Sequence, residues 1–111
     1  MPSDADFFGL TESGGPGRYR FTVADHLTRL DGRLYGGTAI GVSVAVAELV
    51  SDRSALWMTT QFVSTVDEGA EVDVVAEVLA AGKRTNQVRV TATAADGEVI
   101  FASLGATGRP R

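Results

Sequence analysis

The stretch YGGTAIGVSVAVAELVS, residues 35–51, decides the fold. It opens with paired glycines and continues as an apolar run from Thr38 to Ser51, where the polar pair Asp52-Arg53 follows. Periodicity alone fits a strand or a helix, because valines alternate with small residues between positions 42 and 46. The length of the run, the paired glycines and the polar stop together favour a helix of about 21 Å.

Apolar side chains occupy every side of this predicted helix. A helix that is hydrophobic all round is a buried one, so the rest of the chain must surround it. One face carries Ala39, Val42, Val46 and Leu49, and another carries Ile40, Val44 and Ala47.

Segments with strand character make up most of the remaining chain. After the helix they are predicted over 55–66, 71–81, 85–95 and 98–107, and a short one covers Tyr19 to Val23. The Asp96-Gly97 pair between the last two is a strong hairpin signal. Alternation within 71–78 and 87–94 predicts one buried face and one wet face.

The order β-α-β-β-β-β predicts an α+β fold in which a curved antiparallel sheet wraps around the long helix. Residues 1–18 are rich in Ser, Asp, Gly and Pro, and we interpret them as an irregular lead-in that packs Phe7, Phe8 and Leu10 on the domain. Residues 19–108 then form a single domain.

Composition excludes several classes of function. The 111 residues are 44% hydrophobic and 22% charged, which excludes a disordered chain. Cysteine is absent and His26 is the single histidine, so thiolate nucleophiles and multi-histidine metal sites are excluded. The net charge of -4 argues against a general nucleic-acid binder, and any anionic ligand therefore needs a local basic patch. Neither a membrane span nor a signal peptide is recognisable, which predicts a cytoplasmic protein.

Several short motifs, in order, resemble the thioesterase-like superfamily of the hotdog fold. They are Gly17-Arg18-Tyr19, Tyr35-Gly36-Gly37 before the helix, Gln61-Phe62, Gly82-Lys83-Arg84, and Asp96 to Phe101. The resemblance covers roughly residues 7 to 107 and is greatest to the N-terminal half of double-hotdog acyl-CoA thioesterases of type II. It implies a hotdog fold, a coenzyme A thioester as substrate and no further cofactor. It also implies a homodimer or higher oligomer, with no nucleic-acid or membrane partner.

Two departures from the family pattern keep three functions open. In many hotdog thioesterases the helix carries a carboxylate two turns in, where this chain has Val44. In double-hotdog enzymes the catalytic carboxylate, hydroxyl and amide belong largely to the second half. The chain is therefore expected to be a thioesterase with its site at an interface, a non-catalytic acyl-CoA-binding module, or a structural half of a larger protein.

The glycines before the helix are the first candidate for chemistry. Backbone N–H groups of Gly36 and Gly37, at the positive end of the helix dipole, would stabilise the oxyanion of thioester hydrolysis. Tyr35 and Thr38 flank them as substrate-binding candidates. A tight turn that lets the helix enter the sheet explains the glycines equally well.

A base and a water-positioning group are the next requirement. Glu48 is the helix's carboxylate, but it lies about three turns past Gly37, where a solvated residue is the simpler interpretation. Thr60 and Gln61 interrupt an apolar strand, and the resemblance implies that Gln61 orients the nucleophile. Polar residues on the solvent-facing side of a strand are the alternative, and it suits Thr60 better than Gln61. Ser43 is interpreted as a packed residue that bonds back to the preceding helical turn.

A basic turn supplies the patch that an anionic substrate needs. In hotdog proteins, the stretch corresponding to Lys83, Arg84, Thr85 and Asn86 borders the groove for pantetheine and nucleotide phosphates. A charged hairpin turn is the alternative. The neighbours Asp25 and His26 are not expected to form a catalytic pair.

Overall fold

A computed structural model describes residues 4–34 and 36–108 of the chain. No helix in these ranges is long and apolar enough to cross a bilayer. The elements in chain order are α1 (Asp4–Phe8), β1 (Thr11–Glu12), β2 (Arg18–Thr22), a 3₁₀ turn (Asp25–Leu27), α2 (Gly36–Ser51), β3 (Ser54–Phe62), β4 (Glu71–Ala81), β5 (Thr85–Ala94) and β6 (Val99–Gly108).

The strands form one antiparallel sheet in the order β1-β2-β4-β5-β6-β3. Strands β4 to β6 pair in sequence order, whereas β2 and β3 lie on opposite sides of them. The connection from β2 to β3 therefore has to cross the sheet, and α2 makes that crossing. This is the predicted hotdog arrangement of a sheet around a long helix, and β3 lies at one edge of the sheet.

The core lies between α2 and the inner face of the sheet. Alternate residues of β4 and β5 point inward because strand side chains have a period of two. The predicted buried faces are confirmed except at Val78, which is 37% exposed. The outer face carries the exposed ion pairs Arg20–Asp73 and Arg89–Glu77. The fully buried residues of this core include Val42, Val46, Val72, Val74, Val88, Val90 and Phe101.

Helix α2 is less completely buried than its composition predicts. Ile40 is 45% exposed and Leu49 is 50% exposed, although both are large apolar residues. One sheet covers only one side of a helix, so a single chain cannot enclose it. Ile40 and Leu49 are nine residues apart, which puts them on opposite flanks of α2, one near each end of the helix.

The composition of the lead-in predicted an irregular segment. The structure shows instead that it contains α1 and β1. Phe8 packs over Gly41 of α2, where an added Cβ would lie 2.5 Å from the Phe8 ring. Phe7 stays 54% exposed, and its carbonyl lies 2.8 Å from Nε2 of His26. The missing side chain of Gly41 makes room for Phe8, which is a tertiary contact that local propensity does not reveal.

Strand β3 ends at Phe62, four residues before the end predicted from the apolar run. The amides of Val63 and Ser64 both donate to the carbonyl of Ile100, so the regular ladder cannot continue. Trp57, interpreted from the sequence as core or interface, is 52% exposed and is not part of the core.

Candidate functional site

A cavity of about 400 Å³ opens at the first turn of α2. Gly36 and Ala39 form its helical wall, and the end of β3 and the start of β6 form the opposite wall. It lies next to the edge strand β3, since Phe62 at the end of that strand lines it. The other residues around it are Arg29, Leu34, Val63, Ser64, Thr65, Ile100 and Phe101.

The cavity is mainly apolar, with one charged residue among those that line it. Ile100 and Phe101 are almost completely buried and line its inner part. Arg29 is held by Asp31, whose carboxylate oxygen accepts from the guanidinium at 3.1 Å. A hydrogen bond from the Arg33 amide lowers the pKa of Asp31, and the charges of Arg29 and Arg33 add to this. Asp31 is therefore ionised in neutral solution, and its ion pair with Arg29 is solvent-exposed.

The start of α2 combines open backbone with the positive end of a helix dipole. A helix leaves its first N–H groups without intrahelical acceptors. Gly36 lines the cavity, and a Cβ added there would lie 3.5 Å from the Phe62 ring. Gly37 is exposed beside it. The predicted oxyanion position therefore lies at the mouth of an apolar cavity.

Thr38 and Tyr35 are the other two substrate-binding residues predicted at the start of α2. The Thr38 hydroxyl is buried and donates to the carbonyl of Leu27 at 3.2 Å, which ties the 3₁₀ turn to α2. A hydroxyl used in this way is not directed at a ligand, contrary to the substrate-binding role predicted for it. Tyr35 lies outside the described residues.

Glu48 is not near the start of α2 within this chain. Its carboxylate oxygen accepts from the amide of Ala55 at 2.7 Å, where β3 begins. It lies eleven positions past Gly37, which is about 16 Å along the helix axis. The solvated residue expected from the sequence is instead an oriented carboxylate that has its second oxygen unused by any described residue.

Thr60 belongs to a chain of hydroxyl groups between the sheet and the helix. Its oxygen lies 2.8 Å from that of Ser103, which lies 2.7 Å from that of Ser43. Ser43 donates to the carbonyl of Ala39 at 3.0 Å, as predicted for it. If each hydroxyl donates once, Thr60 donates to Ser103 and its oxygen is left to accept.

Gln61 lies on the outer face of the sheet, away from α2. Thr60 faces the helix, and adjacent strand residues point to opposite faces. Gln61 lines a separate concavity of about 430 Å³ with Trp57, Arg89 and Leu104 among its neighbours. Within one chain the structure therefore does not bring Gln61 together with Gly36 and Gly37.

The predicted basic turn lies at the far end of α2. Arg53, two residues past the helix, donates to the carbonyls of Gly82 and Lys83 and to the side-chain oxygen of Asn86. Asn86 is buried and also accepts from the amide of Gly82, so it faces the protein rather than a ligand. Lys83, Arg84 and Thr85 are exposed. The helix length places this turn about 24 Å from the cavity in the same chain.

Sequence reasoning missed Arg53, Ser103 and the inner wall of the cavity. Ser103 carries a detectable signal, because it shares the inward parity of Phe101 in β6. Arg53 carries none, since its partners lie 29 to 33 residues further along the chain. Nε2 of His26 lies 2.8 Å from the carbonyl oxygen of Phe7, and the two rings are in edge contact.

The chain has a hotdog fold with an open helix start over an apolar cavity. The family model for the acyl-CoA thioesterase N-terminal domain matches residues 23–108. The chain belongs to this family. No curated protein is similar enough in sequence to count as a relative.

Solved structures show the same fold. A candidate thioesterase of Novosphingobium aromaticivorans is 30% identical over 92% of this chain, with a TM-score of 0.83. The chain spans 41% of the length of that protein. The Escherichia coli PaaI protein from the phenylacetic acid degradation operon has a TM-score of 0.87 at 15% identity. The match covers 96% of this chain and 87% of the PaaI chain.

A third structure is that of a hypothetical thioesterase of Streptococcus pneumoniae with coenzyme A. Its TM-score is 0.79 at 15% identity, with 91% of this chain and 87% of that chain covered. At this identity the likeness shows a shared fold.

Proposed function

We propose that this chain hydrolyses acyl-CoA thioesters at a composite site, formed when β3 pairs with the same strand of a second copy. The observation that carries the proposal is the first turn of α2, which opens onto an apolar cavity of about 400 Å³ beside the sheet edge. Such a substrate agrees with the cytoplasmic location expected from the sequence.

The cavity and the start of α2 bind different parts of the substrate. The acyl group occupies the apolar cavity, whose volume lies within the usual range for small-molecule sites. The thioester carbonyl then lies at the Gly36-Gly37 amides, which stabilise the oxyanion as water attacks. The leaving group needs little acid assistance, because a thiolate is a much weaker base than an alkoxide or an amide anion.

A second copy of the chain brings its basic turn to the cavity, whereas the basic turn of the same chain is too far from it. If two β3 strands pair antiparallel about a twofold axis at Met58, the Phe62 end of one lies against the Ser54 end of the other. Arg53 precedes Ser54 and holds the basic turn. Each cavity then receives the basic turn of the other copy, close to where coenzyme A phosphates extend.

The same pairing brings the second copy's start of β3 toward the cavity, and Glu48 is bonded to that start. The amide of Ala55 fixes one carboxylate oxygen and leaves the other available. We assign Glu48 as the general base for the cavity of the opposite copy. No carboxylate lines the cavity within the described residues of one chain, which is why the base has to come from across the interface.

The second candidate is a binding module without hydrolysis. The observation that favours it is Val44, which stands at the helix position where many hotdog thioesterases have their carboxylate. If Glu48 serves only to hold Ala55, the composite site binds acyl-CoA and does not cleave it.

Thiol release and binding of a non-hydrolysable acyl-CoA ether separate these functions. Glu48→Gln keeps an oxygen for the Ala55 amide but removes the base. We expect it to fold and bind like the wild type while losing at least about a hundredfold in turnover. Gly37→Val loses both binding and turnover, because its side chain blocks the oxyanion position.

Gln61→Ala is the matched control, since the outer face is remote from the cavity. The account expects it to leave turnover unchanged. A folded wild-type chain that binds the ether but releases no thiol from any acyl-CoA would establish the binding module instead. A chain that binds no acyl-CoA would refute both candidates.

A further inference from the structure

The outer face of the sheet, opposite α2, carries a concavity of about 430 Å³ that lies outside the proposed thioesterase site. Residues of three neighbouring strands, β5, β6 and β3, line it. Arg89, Leu104 and Thr59 form one row across these strands, because Leu104 pairs with both of the others. Cross-strand partners share a face, so these side chains stand side by side. We call this depression, which Trp57, Leu104 and Arg89 surround, the outer concavity.

Most of the outer concavity is apolar. Trp57 is 52% exposed and Leu104 is 53% exposed, although both are large apolar side chains. Trp57 pairs with Ala106, which shares a strand face with Leu104, so the two large side chains belong to one patch. Ala102 lines the concavity on the other side of Leu104 and leaves room there because it is small. A contiguous exposed apolar patch of this kind is typical of a binding surface.

Arg89 is the one charged side chain among the described residues that line the outer concavity. Its Nη2 donates to both carboxylate oxygens of Glu77, at 3.2 and 3.3 Å. Its Nε and Nη1 make no hydrogen bond with any described residue. The pair with Glu77 is solvent-exposed, and such pairs contribute little to stability. The guanidinium of Arg89 is therefore able to donate to a second acceptor.

The placement of these groups matches one ligand chemistry. Glu77 lies on β4, on the opposite side of Arg89 from Leu104, so its negative charge does not lie over the apolar patch. A guanidinium with free N–H groups favours a carboxylate over a neutral group, because charge-assisted hydrogen bonds are the stronger ones. An apolar tail attached to that carboxylate would lie over Leu104 and Trp57.

We propose that the outer concavity binds a small monocarboxylate with an apolar tail, whose carboxylate accepts from Arg89 and whose tail covers Trp57 and Leu104. This site goes beyond the proposed function, because its geometry does not depend on hydrolysis by this chain. Hydrolysis of an acyl thioester releases a carboxylate of the same chemical class, so the proposed reaction is one source of such a ligand.

Fluorescence tests the proposal directly, because Trp57 is the single tryptophan of the chain. Octanoate is the probe, and octanol is the uncharged comparison. We expect octanoate to shift the emission to shorter wavelength in a saturable manner, since it covers a half-exposed indole. Octanol should bind at least about tenfold more weakly, because it lacks the charge. Titration calorimetry gives the Kd of both compounds without relying on the indole.

Two substitutions change the charge at the outer concavity in opposite directions. Arg89→Gln should weaken octanoate binding about tenfold, because the carboxylate loses its cation. Glu77→Gln should tighten binding, since it removes the carboxylate that competes for Arg89. Arg20→Gln is the matched control and should bind like the wild type. Arg20 forms an ion pair of similar exposure with Asp73 on the same face, but it does not line the outer concavity.

Gly36→Leu separates this site from the acyl cavity, which the leucine fills. Octanoate binding that persists in this variant, with the same emission shift, would support the outer site. Loss of binding in a folded Gly36→Leu chain would place octanoate in the acyl cavity and overturn the proposal. No saturable binding to the wild type, equal binding of octanol, or an Arg89→Gln variant that binds normally would also overturn it. Assembly beyond a dimer that Leu104→Ser abolishes in sedimentation velocity would show that a second copy covers the patch, and this too would overturn the proposal.

Discussion

At the scale of single residues, Gly17 shows why a short motif of the chain is a structural requirement. Its φ is +75°, in the region that side chains rarely adopt. A Cβ added there would also lie 2.4 Å from the carbonyl oxygen of Ala76. Its own carbonyl accepts from the Ala76 amide at 2.7 Å, so backbone meets backbone here. Part of the family resemblance therefore records how β2 joins β4.

Gly17→Ala should destabilise the fold through both penalties, by about 3 kcal/mol or more. Gly14→Ala is the matched control, because Gly14 also has a positive φ but its Cβ would meet only the Arg18 side chain at 3.9 Å. That change should cost about 1 kcal/mol. Urea unfolding of both variants checks this, and equal losses would show that the contact with Ala76 has no weight.

The sequence located some residues of the candidate site correctly and misplaced others. The position of the glycines at the start of α2 was predictable from the sequence, because paired glycines before a long apolar run indicate a helix start. Gln61 was assigned to the same site, but strand parity puts it on the other face. The exact register of β3 decides that parity, and an apolar run interrupted by polar residues does not fix a register.

At the scale of elements, strand β3 has one edge without a partner strand and exposes several large apolar side chains. It lies at the edge, and its exposed residues include Leu56, Trp57 and Phe62, each more than half exposed. Soluble proteins normally protect such an edge with charge, proline or a covering element. Pairing with the same strand of a second copy would remove the unpaired edge, as the composite site requires.

A charge exchange tests that pairing. Phe62→Glu should weaken the dimer, because it places a charge opposite the Ser54 end of the other strand. Adding Ser54→Lys should restore association through opposite charges across the pair, whereas adding Ser54→Glu should not. Sedimentation velocity gives the dimer fraction. A wild type that remains monomeric at high concentration, or equal behaviour of the two double variants, would rule out this register.

The elements themselves were largely predictable, since they depend on local patterns. Length identified α2, and alternation identified β4 and β5 with their buried faces. The end of β3 and the presence of α1 were not predictable. The first is set by two amides that share one carbonyl, and the second by a contact between Phe8 and Gly41. Both depend on residues far apart in sequence.

At the scale of the whole molecule, the two ends of α2 carry different parts of the site. The apolar cavity lies at its start and the basic turn beyond its end, about 24 Å apart. An acyl-CoA molecule has the same division into an apolar acyl group and a charged nucleotide. A twofold pair places opposite ends of two helices together, and this turns two incomplete chains into two complete sites.

The most direct test of this account uses mixed dimers of two deficient variants. Gly36→Leu fills the cavity, and Lys83→Gln with Arg84→Gln removes the basic turn. Neither variant alone should bind a non-hydrolysable acyl-CoA ether. After refolding as an equal mixture, half the dimers are mixed, and each contains one intact cavity facing one intact turn. We therefore expect the mixture to recover about a quarter of the wild-type binding sites. Mixed dimers that form but recover no binding would contradict the composite site.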